Sequence, residues 1–542
     1  MKLRKLAALG LAVAMTVTTM AGCGNTEEKG SSNQQSSVQE STSKATESTV
    51  VEESNEIVFP LEETLEVECL ALQPKDEYPY EENIAWQYVE ELTNVKFNLT
   101  TFNSADYKEK TNLILSSGDY PEVLYKCADI DTEKYGQDGV LIPLEDLIRE
   151  YAPNLTALLD ETPYGWDTIT AADGHVYSLP MFEMARCYSD GNYYWINQSW
   201  LDKVGMDMPT NREELYQVLK AFKEKDPNGN GEQDEIPWIV PGAVHVNRLT
   251  QIYAYLGEGL YYGGHWMVKD DVLEFLPATE DFKEDLKYFK RLYDEGLINE
   301  DAFTMTNDQR KATVQSGDIV GMFYNSTSSI AGSDYEVRKN WFTLKAFDTE
   351  NWALNTGIQT EGLSITDKCE NPETIIAWAD MFYTEEGGRI MRLGVEGESY
   401  ELSADGTTYR PLKDAFESHS YQATLMGAST LPGKIPEIYY LGQDPTANPI
   451  ESHANNELYG KGYGLNAEGT VLAPITYTDE EKDAVSTIST DINGYVNNYI
   501  AETISGITDI DATWNEFQKT LKAMGVDTWI EIRRTAWERS KN

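Results

Sequence analysis

Apolar and polar positions alternate first in the run around Leu65, Val67 and Cys69, which are interleaved with Glu66 and Glu68 and predict a strand. Ile84, Tyr88 and Leu92 then recur at helical spacing, and Val95, Phe97 and Leu99 return to alternation. A helix over about 105–116 leads through Gly118 to the apolar run Val123-Leu124-Tyr125. Strands alternating with helices predict a parallel sheet with helices on its faces, and such sheets bind ligands at the carboxyl ends of their strands. Gln73, after the first strand, and Asp129, after the third, are therefore candidate ligand-binding residues.

The clearest punctuation lies between Tyr193 and Pro237. The strand Tyr194-Trp195-Ile196-Asn197 precedes a helix whose buried face is Leu215, Val218, Leu219 and Phe222, with Thr210 and Glu213 as the expected capping box. That helix should end near Lys225. Asp226, Asn228 and Asn230 then place oxygens at alternate positions, Gly231 stands sixth, and Asp234 and Glu235 follow. This is the opening half of an EF-hand calcium loop, in which alternate oxygens converge and the glycine permits the sharp turn. Position twelve is Pro237 in place of the bidentate Glu, so Asp234 and Glu235 are expected to close the cage, with the Glu232 carbonyl as a further ligand. The donors suit a hard cation, since the loop contains neither Cys nor His. The plainer reading is an Asn/Gly turn linking helix to strand.

The run from Thr210 to Pro237, with Tyr194-Trp195-Ile196-Asn197 upstream, resembles the family 1 extracellular solute-binding proteins of bacterial ABC importers. It is most similar to the long lipoprotein branch that includes alginate-binding proteins. The resemblance extends over roughly all of the chain beyond the first fifty or so residues. It implies a two-lobed α/β fold of the type II periplasmic-binding class, each lobe a sheet flanked by helices, joined by a hinge of crossing segments. Lobe one would comprise 57–180 and about 359–425, and lobe two 181–358 and about 426–542, with Pro180 at the first crossing. The resemblance also implies a structural Ca2+ held by Asp226, Asn228, Asn230, Glu232, Asp234 and Glu235.

The amino terminus adds a location. Lys2, Arg4 and Lys5 precede an apolar run from Leu6 to about Met20, too short for a good membrane span, followed by Ala21 and Gly22. Residues 1–22 read as a secretory signal, and Met20-Ala21-Gly22-Cys23 resembles a lipobox, with Met20 where Leu is usual. Cys23 is the expected lipidation site, which would hold the protein outside a bacterial membrane by acyl chains alone. Residues 23–56, rich in Ser, Thr, Gln, Glu and Lys, form the expected disordered tether. Against 43 Lys and Arg stand 91 Asp and Glu, a net charge of −48 that makes nucleic acid an improbable partner. The cysteines form no C-x-x-C pair, so neither zinc nor redox chemistry is signalled.

The chain's 33 Tyr and 12 Trp suit a carbohydrate cleft, where rings stack on sugar faces and planar polar groups fix hydroxyls. Trp238 and Trp266 are the candidate rings, and Arg186, Tyr188 and Asn325 the candidate polar contacts. Ordinary packing is at least as strong an expectation for any one of them, and Trp378 and Trp514 read as core. No G-x-S-x-G, phosphate-binding glycine loop or H-E-x-x-H occurs, and the five His residues are scattered, so no enzyme is indicated. The reading is a monomeric binding protein that captures an oligosaccharide by hinge closure and delivers it to an ABC permease. The alternatives are a peptide-binding importer subunit and a surface glycosidase or sensor.

Overall fold

The computed structural model describes residues 57–73, 80, 83–103, 105–126, 130–183, 194–240, 260–324, 330–331, 338–344, 353–354, 356–412, 432–446 and 470–541. The predicted βαβ opening is present. Leu65–Gln73 pairs in parallel with Val95–Asn103 along its whole length, from Leu65 on Val95 to Gln73 on Asn103, and with Val123–Tyr125 on its other edge. The helix Ile84–Thr93 makes the crossover, started by the Asn83 side chain accepting from the Trp86 N–H and stopped at Asn94 in the left-handed region.

Its buried face differs from the expected one. Ala85, Trp86, Val89 and Thr93 face inward, while Tyr88 and Leu92 remain 38% and 37% exposed. The cause is Trp86, whose ring packs against Phe97, Tyr125 and Trp378 at centroid distances of 5.6, 5.0 and 5.9 Å. An indole buries more area than either outward residue, and it sets the phase of the helix.

The sheet has six strands in the order Gly433–Ile435, Leu179–Glu183, Ile358–Ile365, Val123–Tyr125, Leu65–Gln73 and Val95–Asn103. Ile358–Ile365 runs antiparallel to both neighbours, so the sheet is mixed and not wholly parallel. The boundary expected at 180/181 falls inside the strand Leu179–Glu183, with Met181 registered on Gln359 and Gly433. Gly433–Ile435 likewise joins this sheet from beyond the break expected near 425.

A second, antiparallel sheet is formed by Trp341–Thr343, Tyr194–Asn197 and Met322–Tyr324. Its central strand is the predicted YWIN segment, and Ile236 and Ile239 extend it by bridges to Val320 and Phe323. Helices Arg212–Glu224 and Glu280–Asp294 share its core with the carboxyl-terminal helices, whose Ile492, Trp514, Phe517 and Leu521 pack in one cluster with Phe282, Leu286 and Phe289. Helix Arg212–Glu224 is capped one residue later than expected: Asn211 accepts from the Glu214 N–H at 2.9 Å, and the Glu214 carboxylate accepts from both Thr210 donors at 2.8 Å.

The helix Glu385–Leu393 lies so close to Gly433–Ile435 that a Cβ on Gly388 would stand 2.2 Å from the Lys434 carbonyl oxygen. Gly388→Ala should therefore cost about 1–3 kcal/mol in denaturant unfolding. An unchanged midpoint would show that the helix is free to shift.

Candidate ligand-binding site

The carboxyl edge of the six-stranded sheet gathers polar side chains because each follows directly on an apolar strand. Gln73 ends the first strand and is 8% exposed, as expected for a residue at this edge. Lys126 follows Val123–Tyr125, fully buried and with a left-handed φ of 56°, and its N–H donates to the Gly362 carbonyl at 2.7 Å. Glu183 ends Leu179–Glu183 and is partly buried. Its carboxylate accepts from the Tyr440 hydroxyl at 3.1 Å and from the Gln359 amide at 3.4 Å.

Arg392 reaches the same place from helix Glu385–Leu393, its guanidinium 4.6 Å from the Tyr439 ring centroid. Burial pushes the Glu183 carboxyl above its ordinary range, against the lowering influence of Arg392, Tyr440 and Gln359. Burial, together with the Arg392 charge, brings the Lys126 ammonium down to about 7. This edge therefore presents donors, acceptors and aromatic surface, the mixture by which a concave site fixes a polar ligand.

Lys482, on the helix Asp479–Ile504, donates to the Glu133 carboxylate on the helix Thr132–Gln137.

The ring candidates belong elsewhere. Trp238 is fully buried against Tyr194 and Phe289, both at 5.9 Å, because the segment after the loop bridges into the second sheet's core. Trp266, 2% exposed, packs on Phe275 at 5.1 Å and Trp529 at 5.2 Å, with the Arg533 guanidinium 4.9 Å from its ring. Neither is placed to stack on a ligand, and both assignments are corrected to core. Asp129, Arg186, Tyr188 and Asn325 lie outside the described residues, as does Cys23. Trp378 and Trp514 are core, as expected.

Sequence reasoning missed Lys126, Glu183, Gln359, Arg392 and Tyr440. Lys126 and Glu183 carried a usable signal, each being the charged residue that closes an apolar strand run. Arg392 and Tyr440 carried none, since they come from helices far along the chain.

In the loop after helix Arg212–Glu224, Asp226 accepts from the backbone N–H groups of Gly229 at 2.8 Å, Asn230 at 3.1 Å and Gly231 at 3.0 Å. Gly229 and Gly231 take left-handed φ of 74° and 79°, which folds the loop back on itself. Asn228 and Asn230 both aim their amide groups at Asp234, at 2.9 and 3.0 Å. Glu235 Oε1 is buried with no hydrogen-bond partner, and burial, Asp234 and Asp226 together hold the Glu235 carboxyl above its usual range. Crowded carboxylates with an orphaned oxygen fit a hard cation. Among the described residues, however, no three His, Cys, Asp or Glu side chains are already drawn together as a metal-holding group.

Residues 73–389 match the family described as bacterial extracellular solute-binding protein. The chain is 29% identical over 509 residues to the fructooligosaccharide ABC transporter substrate-binding protein FusA of Streptococcus pneumoniae, covering 89% of this chain and 92% of that one. An EF-hand mutant of FusA in complex with fructo-nystose superimposes with a TM-score of 0.65 at 25% identity, over 88% of this chain and 99% of that chain. An HMO-binding, ABC-transporter-associated solute-binding protein of Bifidobacterium longum infantis gives a TM-score of 0.72 at 20% identity, over 88% and 99% of the two chains. The alginate-binding protein AlgQ2, in a structure without calcium ion, gives 0.62 at 23% identity, over 89% and 100%. The last two establish fold alone, and that fold is the two-lobed α/β arrangement anticipated from the sequence.

Truncating Trp266 to Ala should cost about 3–5 kcal/mol of stability, the range for a large buried ring. A variant that unfolds like the parent but binds its solute poorly would return this ring to the cleft.

Proposed function

We propose that this chain, which belongs to the bacterial extracellular solute-binding protein family, captures an oligosaccharide between its two lobes and hands it to an ABC permease. The observation that carries this reading is the 29% identity to a fructooligosaccharide-binding relative over nearly the full length of both chains. The polar edge formed by Gln73, Lys126, Glu183, Gln359 and Arg392 supports it, as the kind of surface that meets sugar hydroxyls. A ligand that makes more contacts when the lobes are closed shifts the protein toward the closed form, and the permease would read that form. Acylation at Cys23 would anchor the protein on the outer face of the membrane. No helix among the described residues is long and apolar enough to cross it.

In the same reading, Asp226, Asn228, Asn230, Glu232, Asp234 and Glu235 hold one Ca2+. The unpartnered Glu235 oxygen and its crowding by Asp226 and Asp234 support this, together with the relative whose EF-hand has been mutated. The ion would relieve the repulsion among Asp226, Asp234 and Glu235 and so tie the end of helix Arg212–Glu224 to the bridging segment at Ile236.

Fructo-nystose should raise the melting temperature of the purified protein, by mass action on the native state. The shift corresponds to about 2.7 kcal/mol at a hundredfold excess over Kd. A rise with short peptides and with no oligosaccharide of a broad panel would overturn the carbohydrate reading. Chelation should lower the melting temperature and added Ca2+ restore it, and Asp226→Ala should abolish that response. A melt indifferent to chelation, with the ion verified absent, would remove the calcium site.

A further inference from the structure

Among the described elements, Leu179–Glu183 precedes Tyr194–Asn197 of the second sheet in the chain, Ile358–Ile365 follows Trp341–Thr343 of that sheet, and Gly433–Ile435 precedes the carboxyl-terminal helices. Three strands of the six-stranded sheet therefore border its crossings to the second lobe. These three strands are neighbours, with Leu179–Glu183 in the middle. Glu183 is the last residue of that middle strand and makes a contact with each passage. Its N–H donates to the Gly357 carbonyl at 2.6 Å, and one carboxylate oxygen accepts from the Gln359 amide at 3.4 Å, both on the incoming strand. The other oxygen accepts at 3.1 Å from Tyr440, on the helix Glu437–Leu441 that follows Gly433–Ile435. Around the same point the second lobe's core extends onto Met181, Ile435 and Tyr440.

We propose that Glu183 is a positioning residue for lobe closure, a pin that ties the three crossing segments at one point and so sets the axis about which the lobes turn. A carboxylate suits this task because its two oxygens can serve a strand and a helix at once, while the backbone N–H serves the residue just ahead of that strand. Arg392 and the Tyr440 hydroxyl are the charged or titratable groups that act on it, the Arg392 charge favouring the ionised form, while Lys126 and Tyr439 interact with Arg392. With the three strand ends tied, the lobes turn about a common point. Without the tie each strand end frays separately, and the lobes sample a wider range of angles. The inference rests on the two-lobed closure reading but not on any ligand.

The test is made on ligand-free protein by small-angle X-ray scattering and amide hydrogen exchange, comparing Glu183→Ala with Asp380→Asn. Asp380 is the control because its carboxylate accepts from Asn154 and Leu155 within lobe one and from no residue of the three strands. Glu183→Ala should increase the radius of gyration and speed exchange about tenfold at 179–183 and 356–360, the factor that 1.4 kcal/mol represents. Asp380→Asn should lower the melting temperature while leaving the scattering curve unchanged. Tyr440→Phe removes one tie only and should move the scattering in the same direction by less, which keeps the test available if Glu183→Ala does not fold. Scattering from Glu183→Ala or Tyr440→Phe that matches the parent would overturn the proposal, as would an equal expansion in the Asp380→Asn control. Failure of oligosaccharide binding alone would leave these ligand-free readouts unaffected.

Discussion

The pairing of Leu179–Glu183 between Gly433–Ile435 and Ile358–Ile365 is the constraint on which the rest depends. It joins three segments far apart in sequence into one edge of a sheet, and it does so with both neighbours hydrogen-bonded to a strand that contains a proline. Pro180 is tolerated there because its carbonyl still accepts, from the Tyr383 hydroxyl at 2.6 Å, and because the register on Ile358–Ile365 is interrupted by a bulge between Gln359 and Leu363. Once this edge is formed, the carboxyl ends of Leu65–Gln73, Val123–Tyr125 and Leu179–Glu183 lie along one rim. The polar residues that close those strands are brought together as a consequence.

Electrostatics at that rim follow from the same geometry. Lys126 is buried, and Glu183 and Arg392 are partly buried, at one place, so neither sign of charge is fully solvated. The Arg392 charge acts to lower the pKa of the Glu183 carboxyl and of the Lys126 ammonium alike. The loop from Asp226 to Glu235 poses the opposite problem. Its carboxylates share a sign, and the buried Glu235 oxygen has nothing to accept from. A divalent cation is the simplest relief for that arrangement.

Local pattern was legible in the sequence because it depends on neighbours. The opening βαβ unit, the YWIN strand and the helix ending at Lys225 all followed from period and punctuation. The errors have physical causes. The face of Ile84–Thr93 was misphased because aliphatic spacing was weighed above one large ring at Trp86. The cap shifted from Thr210 to Asn211 because both residues cap well and only backbone conformation decides between them. Trp238 and Trp266 were placed in the cleft because an indole gives the same signal in a sequence whether it stacks on a neighbour or on a ligand. The rim residues Gln359, Arg392 and Tyr440 were invisible, since their meeting requires long-range strand order that no local window contains.

The central claim is capture of an oligosaccharide by closure of two lobes, and the most direct measurement titrates fructo-nystose into the protein by calorimetry while scattering follows its size. The account predicts saturable one-to-one binding with a fall in the radius of gyration at the same midpoint. Saturable binding with no contraction would contradict closure. Contraction driven by peptides and by no oligosaccharide would contradict the assignment of the ligand.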